Sequence, residues 1–214
     1  MKVPQQTKQQ IEQGNYRATL YRIIYIGTTE TEYKGERKSS FKVHLTWELN
    51  DETRVFKEGD EPKPLVVSQK YTYSMGSKSN LRPIVEGMIG GLTDAVASNF
   101  DLDTLLGKSC MLQVIHGVSE TGKPKMIYST SQMPKSMPAP ESFNELVLLS
   151  YDDWSDKIFE SLPNWIKEEM EKTPEYQTIT GQYDSNLSLE EQEQLARATK
   201  RPEGEENPNS DIPF

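Results

Sequence analysis

Cysteine is almost missing from this 214-residue chain: Cys110 stands alone, so no internal disulfide can form, which fits a reducing cytoplasm. No run of about 18 apolar residues occurs, so no membrane span is expected. The first residues are rich in Gln and Lys and contain no apolar segment, so no secretory signal is expected either. Histidine is scarce: His44 and His116 each sit on a predicted strand without a second ligand at metal spacing, which points to structural or solvent-facing roles. Cys110 has no matched histidine and acid, and reads as a buried thiol. Carboxylates are abundant but fall in charged loops and the C-terminal region. None of their spacings sets a pair on a rigid apolar face, as acid–base catalysis requires. An enzyme is not supported, and no cofactor or metal is called for.

One motif imitates a catalytic one. Gly117 to Lys123 matches G-x-x-x-x-G-K, but Pro124 stands where a phosphate-binding loop needs a hydroxyl, and a strand follows where that loop needs a helix. The segment reads as a hairpin turn carrying Lys123 and Lys125.

With 34% hydrophobic residues, the chain supports one well-buried domain with appendages. Its net charge of −9 hides a polarity: residues 1–140 carry 18 Lys and Arg against 15 Asp and Glu, a net of +3, whereas residues 141–214 carry 6 against 18, a net of −12. A nucleic-acid-binding body with an acidic tail has this distribution, and so does an unrelated body with a solubilising tail.

Residues 1–14 read as a mobile arm. Tyr16 to Ile26 reads as a long, bent strand with both faces partly apolar, ended by Gly27. A polar loop follows over residues 28–40. Phe41, Val43, Leu45, Trp47 and Leu49 then alternate with Lys42, His44, Thr46 and Glu48, the period of a half-buried strand. Residues 50–64 form a charged connection, and Leu65 to Met75 a third strand. Ser79 or Asn80 can cap a helix with Pro83 in its first turn, stopped by Gly90-Gly91. A short helix can start at Thr93, and Leu102, Leu105 and Leu106 supply a core plug. Strands four and five are Lys108 to Val118 and Lys123 to Met133. Five strands with a helix between the third and fourth is the arrangement of the OB-fold, a small Greek-key barrel that binds oligonucleotides and oligosaccharides. The fold class expected is therefore mainly β, an OB-fold over residues 15–140.

A proline-rich linker, Met133 to Pro140, precedes a helical extension over residues 141–176. It contains a short apolar run, Leu146 to Leu149, that reads as an added edge strand. Trp154, Ile158, Phe159 and Leu162 share a helical side, and after Pro163 so do Trp165, Ile166 and Met170. These helices can cover the barrel or a second subunit, which leaves a homo-oligomer open. Residues 177–214 are too polar to fold alone and are expected to be disordered, with a short helix open near Leu189 to Ala198.

Single strands are held by cations that follow the phosphates and by rings on which bases stack. Trp47, Tyr71 and Tyr73 lie on strands two and three, the usual binding face of this fold, and Trp47 either stacks bases or fills the barrel. Lys34, Arg37, Lys38 and Lys42 lie in the first loop and strand two. Lys70, Lys78, Arg82, Lys123 and Lys125 can complete a basic rim. The chain finishes on Asp211-Ile212-Pro213-Phe214, two apolar residues around a proline behind acidic ones. That ending reads as a hook for a partner with an apolar pocket, a basic rim and a site for the terminal carboxylate.

The ending resembles the tip of bacterial single-stranded-DNA-binding proteins, in which an OB-fold precedes a disordered acidic tail. The body is similar to phage-encoded single-stranded-DNA-binding proteins over residues 15–175, through Tyr33-Lys34-Gly35-Glu36, Trp47-Glu48-Leu49, Lys78-Ser79-Asn80-Leu81-Arg82 and Leu105-Leu106-Gly107-Lys108. The resemblance implies sequence-independent binding of single-stranded DNA in replication, recombination or repair, in the cytoplasm of a bacterial host. It also implies recruitment of replication and recombination proteins by Asp211, Ile212, Pro213 and Phe214. Asn209 and Ser210 stand where family tips usually carry aspartates, which implies a weaker grip on a basic rim. Two other readings stay open: a protein–protein adaptor on the same barrel, and an RNA-preferring OB-fold binder.

Overall fold

The computed structural model describes residues 11–33, 36–119 and 122–181. Strands β1 (Gly14–Tyr33), β2 (Glu36–Arg54) and β3 (Lys63–Thr72) are followed by helices α1 (Arg82–Ile89) and α2 (Asp94–Ala97) and a 3-10 turn at Leu102–Leu105. Then come β4 (Ser109–Val118), β5 (Pro124–Ser131), β6 (Val147–Leu149) and helices α3 (Asp156–Ser161), α4 (Asn164–Met170) and α5 (Pro174–Ile179). The chain is mainly β, with the antiparallel order β3-β2-β1-β4-β5 and a short β6 parallel to β1.

The sheet is open: among the described residues no ladder joins β3 to β5, so the expected barrel closure is not seen. Strand β5 packs against α1 instead. Thr130 Oγ1 donates to the Ile84 carbonyl at 2.6 Å and Gln132 Nε2 to that of Ile89 at 2.7 Å. A Cβ on Gly87 would lie 2.1 Å from the Thr130 carbonyl oxygen, so the helix reaches this strand only because residue 87 has no side chain. Gly90, left-handed at φ 87°, ends α1, and its amide donates to the Glu86 carbonyl.

The first hairpin is far longer than its hydrophobic pattern suggests. Gly27 does not end β1; at φ 104° it forms a bulge, with the register shifting between Tyr25 and Gly27, and the strand continues to Tyr33. The polar residues expected in a loop pair with one another, from Thr28 opposite Phe41 to Tyr33 opposite Glu36. Antiparallel partners satisfy each other's backbone groups whatever their side chains, so polarity alone does not mark a loop.

Two cores lie on opposite faces of the sheet. The first gathers Leu20, Ile23, Val43, Leu45, Trp47 and Leu49 with Ile84, Val85 and Met88 of α1 and the Leu102–Leu105 turn. Cys110 is buried there, and burial pushes its thiol up to about 12. The second joins Ile24, Ile26 and Leu149 to Phe159, Leu162, Ile166 and Met170, so α3–α5 cover this chain's own sheet. Residues 11–14, expected in a mobile arm, are tied to β4: His116 Nε2 lies 2.7 Å from the Ile11 carbonyl oxygen, and the His116 amide donates to Gln13 Oε1 at 3.1 Å. Helix α5 carries the folded chain past residue 177, to Ile179.

Two buried carboxylates hold the later segments in place. Glu48 accepts from the amides of Phe143 and Asn144 at 2.7 and 2.9 Å and from Asn144 Nδ2 at 2.6 Å. Glu175 accepts from the Thr28 amide at 2.8 Å and the Thr28 hydroxyl at 2.6 Å, beside the Gly27 bulge. Removing Glu175 leaves the half-buried amide and hydroxyl of Thr28 without this acceptor. Glu175→Ala is therefore expected to lower stability by about 1–3 kcal/mol, with Glu175→Gln recovering part of it. An unchanged denaturant midpoint in Glu175→Ala would show that this contact does not anchor α5.

Candidate nucleic-acid interface

The alternation that buries Val43, Leu45 and Trp47 turns Lys42, His44, Thr46 and Glu48 to the second face. On β3 the same face carries Ser68, Lys70 and Thr72; Lys42 pairs with Thr72 and His44 with Lys70. Lys42 and Lys70 are therefore diagonal neighbours, about 7–8 Å apart at the backbone. Beside them opens a shallow groove of about 480 Å³, lined by Lys42, Gln69, Lys70, Tyr71, Thr72 and, from the β3–α1 loop, Ser74, Gly76, Lys78, Ser79 and Asn80. Lys42 Nζ donates to Thr72 Oγ1 at 2.7 Å. Burial, then repulsion from Lys70, holds the Lys42 ammonium below the usual lysine range, and Glu169 opposes this in part.

Helix α4 reaches the sheet at the His44–Lys70 pair. Glu169 forms an ion pair with Lys70 Nζ, and the Trp165 ring stands edge-on to His44 with centroids 5.0 Å apart. Arg22, opposite Thr46 on β1, donates from Nε to Thr46 Oγ1 at 3.4 Å. His44 is buried, and among the described residues its Nδ1 has no hydrogen-bond partner. Burial, with Arg22 and Lys70 nearby, lowers its pKa to about 4.

The candidate residues divide. Lys42, Lys70, Tyr71 and Lys78 line the groove. Lys38, exposed on the β2 arm, has the parity of Lys42 and extends the cationic line along that face; Arg37, also exposed, has the opposite parity. Trp47 is fully buried, and its ring belongs to the first core, so it offers no face to a base. Tyr71 is buried in the same core. Tyr73 is half-buried, edge-on to Tyr25 and Phe41 with centroids at 5.5 and 6.1 Å. Arg82 is an internal clamp: it pairs with Glu86 at 2.7 Å and Asp94 at 2.5 Å and donates to the Leu92 carbonyl at 3.0 Å. Lys123 and Lys125 are exposed on the β4–β5 hairpin and do not line the groove. That segment is a turn, as expected, with Ser119 N donating to the Lys123 carbonyl at 2.8 Å. Lys34 and the tip Asp211, Ile212, Pro213 and Phe214 lie outside the described residues.

Arg22, Trp165 and Glu169 escaped sequence reasoning. Trp165 reads as part of an apolar helix side, yet it is 51% exposed while Ile166 and Met170 are buried. Its i,i+4 spacing to Glu169 was the available signal, because residues four apart share a helix face. No protein-family model, curated protein or solved structure matches this chain.

The neutral state of His44 has a measurable consequence. Between pH 6.5 and about 4 the unfolded chain takes up a proton that folded His44 refuses. The resulting stability is complete above pH 6.5 and falls away as pH drops towards 4, by about 3 kcal/mol. His44→Gln should flatten that part of the stability profile, and the wild-type His44 ring should titrate near pH 4 by NMR. A midpoint near 6.5 would mean that the ring is hydrated.

Proposed function

We propose that the chain binds single-stranded DNA without strong sequence preference, in phage or prophage replication, recombination or repair, and that its acidic C-terminal tip recruits partner proteins. The observation that carries this reading is the groove: Lys42, Lys70 and Lys78 converge on it from two strands and a loop, alongside the hydroxyl and amide groups of Thr72, Ser74, Ser79 and Asn80. Cations and small polar groups at this spacing suit phosphates and sugars, which carry no sequence information. Acid is concentrated behind residue 140, which leaves the part of the chain that carries the groove, residues 1–140, net positive and favourable to an anionic strand. The order β3-β2-β1-β4-β5, with α1 between β3 and β4, supports an OB-fold whose closing ladder is missing. The reading assigns binding to the chain and no reaction.

A labelled oligonucleotide titrated across a salt series tests the proposal. The slope of log K against log salt should be negative by about 0.7 for each neutralised phosphate. Lys42→Ala and Lys78→Ala should each flatten that slope by about this amount and weaken binding to all sequences alike. A flat salt response, or equal affinity for double-stranded DNA, would refute it, and preference for a matched RNA would redirect it. Deleting Ile212 to Phe214 should spare DNA affinity and abolish capture of partner proteins. Loss of DNA binding in that deletion would mean that the tip and the groove do not divide the work.

A further inference from the structure

The groove supplies charge but little ring surface, since Trp47 is enclosed and Tyr71 is packed in the core. A strand held through phosphates alone forgoes base stacking, worth about 1–3 kcal/mol per base. Among the described residues Phe56, Phe143 and Trp165 expose their rings, and of these Trp165 is the one placed beside a groove residue, through the ion pair of Glu169 with Lys70. Trp165 is 51% exposed, although the same helix buries Ile166 and Met170, so α4 is seated by those two and not by the indole. The indole touches the sheet through its edge-on contact with His44. Its neighbour one helical turn on, Glu169, pairs with Lys70, which places Trp165 next to a residue that lines the groove.

Charge around the ring follows the same logic. Arg22 and Lys70 both lie close enough to His44 to oppose its protonation, so the indole stands over a histidine flanked by two cations. A nucleotide whose base lies on such a ring brings its phosphates within reach of cations on either side. His44, neutral and buried, backs the ring without adding a charge.

We propose that Trp165, carried by the helical extension and not by the sheet, is a base-stacking platform for single-stranded nucleic acid that continues the path of the Lys42–Lys70–Lys78 groove. The inference rests on the reading of that groove as a strand-binding site. It adds a contact from outside the strands and assigns α4 a part in recognition.

The test uses the full-length chain and two probes of equal length, a labelled oligo-dT and an abasic oligodeoxynucleotide with the same number of phosphates. Trp165→Ala and Trp165→Leu should weaken oligo-dT binding by about 5- to 150-fold, the equivalent of about 1–3 kcal/mol per stacked base, and Trp165→Phe should restore most of it. None of the three should change affinity for the abasic strand, which has phosphates and no bases. A role confined to holding α4 in place would weaken both probes together and would overturn the proposal. The wild-type tryptophan fluorescence should be quenched by oligo-dT, and that quenching should vanish in Trp165→Phe, because Trp47 is enclosed and Trp154 is stacked on Tyr151. If oligo-dT binds the wild type and the Trp165→Ala protein equally, the stacking proposal fails while the groove reading stands. If neither probe binds the wild type, both fail.

Discussion

The middle of strand β1 has almost no face left for solvent, and the rest of the molecule is arranged around that constraint. From Ala18 to Gly27 every residue but Arg22 is buried: Ala18, Leu20, Ile23 and Tyr25 lie in the core with α1 and Ile24 and Ile26 under the C-terminal helices, the sides exchanging at the register shift between Leu20 and Arg22. A strand enclosed on both sides must have cover on both sides, so the helices after residue 155 are part of the fold and not an ornament on it. The sheet becomes the middle layer of three. Its second face stays partly open beside α4, where the lysines of β2 and β3 emerge, and along β4 and β5, where Gln113, Ile115 and Ile127 are exposed.

Polar groups set the position of that cover. Apolar contacts between α3–α5 and the sheet are favourable over a range of small displacements, since burial has no direction. Glu175 on the Thr28 backbone and Glu48 on the Phe143–Asn144 backbone are directional, and each has bonds that a shifted helix or linker would break. Gly27 makes the first of these possible. A Cβ there would come within 2.8 Å of the Glu175 and Thr173 oxygens, so the bulge leaves room for the carboxylate. The geometry that sets Trp165 and Glu169 against His44 and Lys70 inherits its precision from these anchors.

Much of the sheet was legible because alternation is a local signal. Phe41 to Leu49 announces which face is buried, and Trp47 shares the parity of Val43 and Leu45, which are all enclosed. That parity favoured the interior for its ring, whereas strand position in a binding fold favoured the surface; packing prevailed. The anchors were illegible for a physical reason: Glu48 and Glu175 find partners 95 and 147 residues away, and nothing near a glutamate in sequence marks it as buried. Arg82 was half legible: Glu86 stands four residues on along the same helix, whereas Asp94 lies across a helix terminus and a turn. The groove lysines were legible one at a time, on β2, on β3 and in the following loop. Their convergence comes from the β2–β3 register.

The ion pair between Lys70 and Glu169 gives the groove a resident anion. Salt-dependent affinity arises when binding sends small ions from the strand and the cations into bulk solution. A carboxylate covalently held on α4 cannot leave in that way; displaced from Lys70, it stays at the rim and repels the incoming phosphates. Counting ammonium groups therefore overstates the ionic sensitivity of this surface, and a strand that engages Lys70 gains less from dilute buffer than one that meets Lys42 or Lys78. The helical extension thus moderates the electrostatic response of the groove.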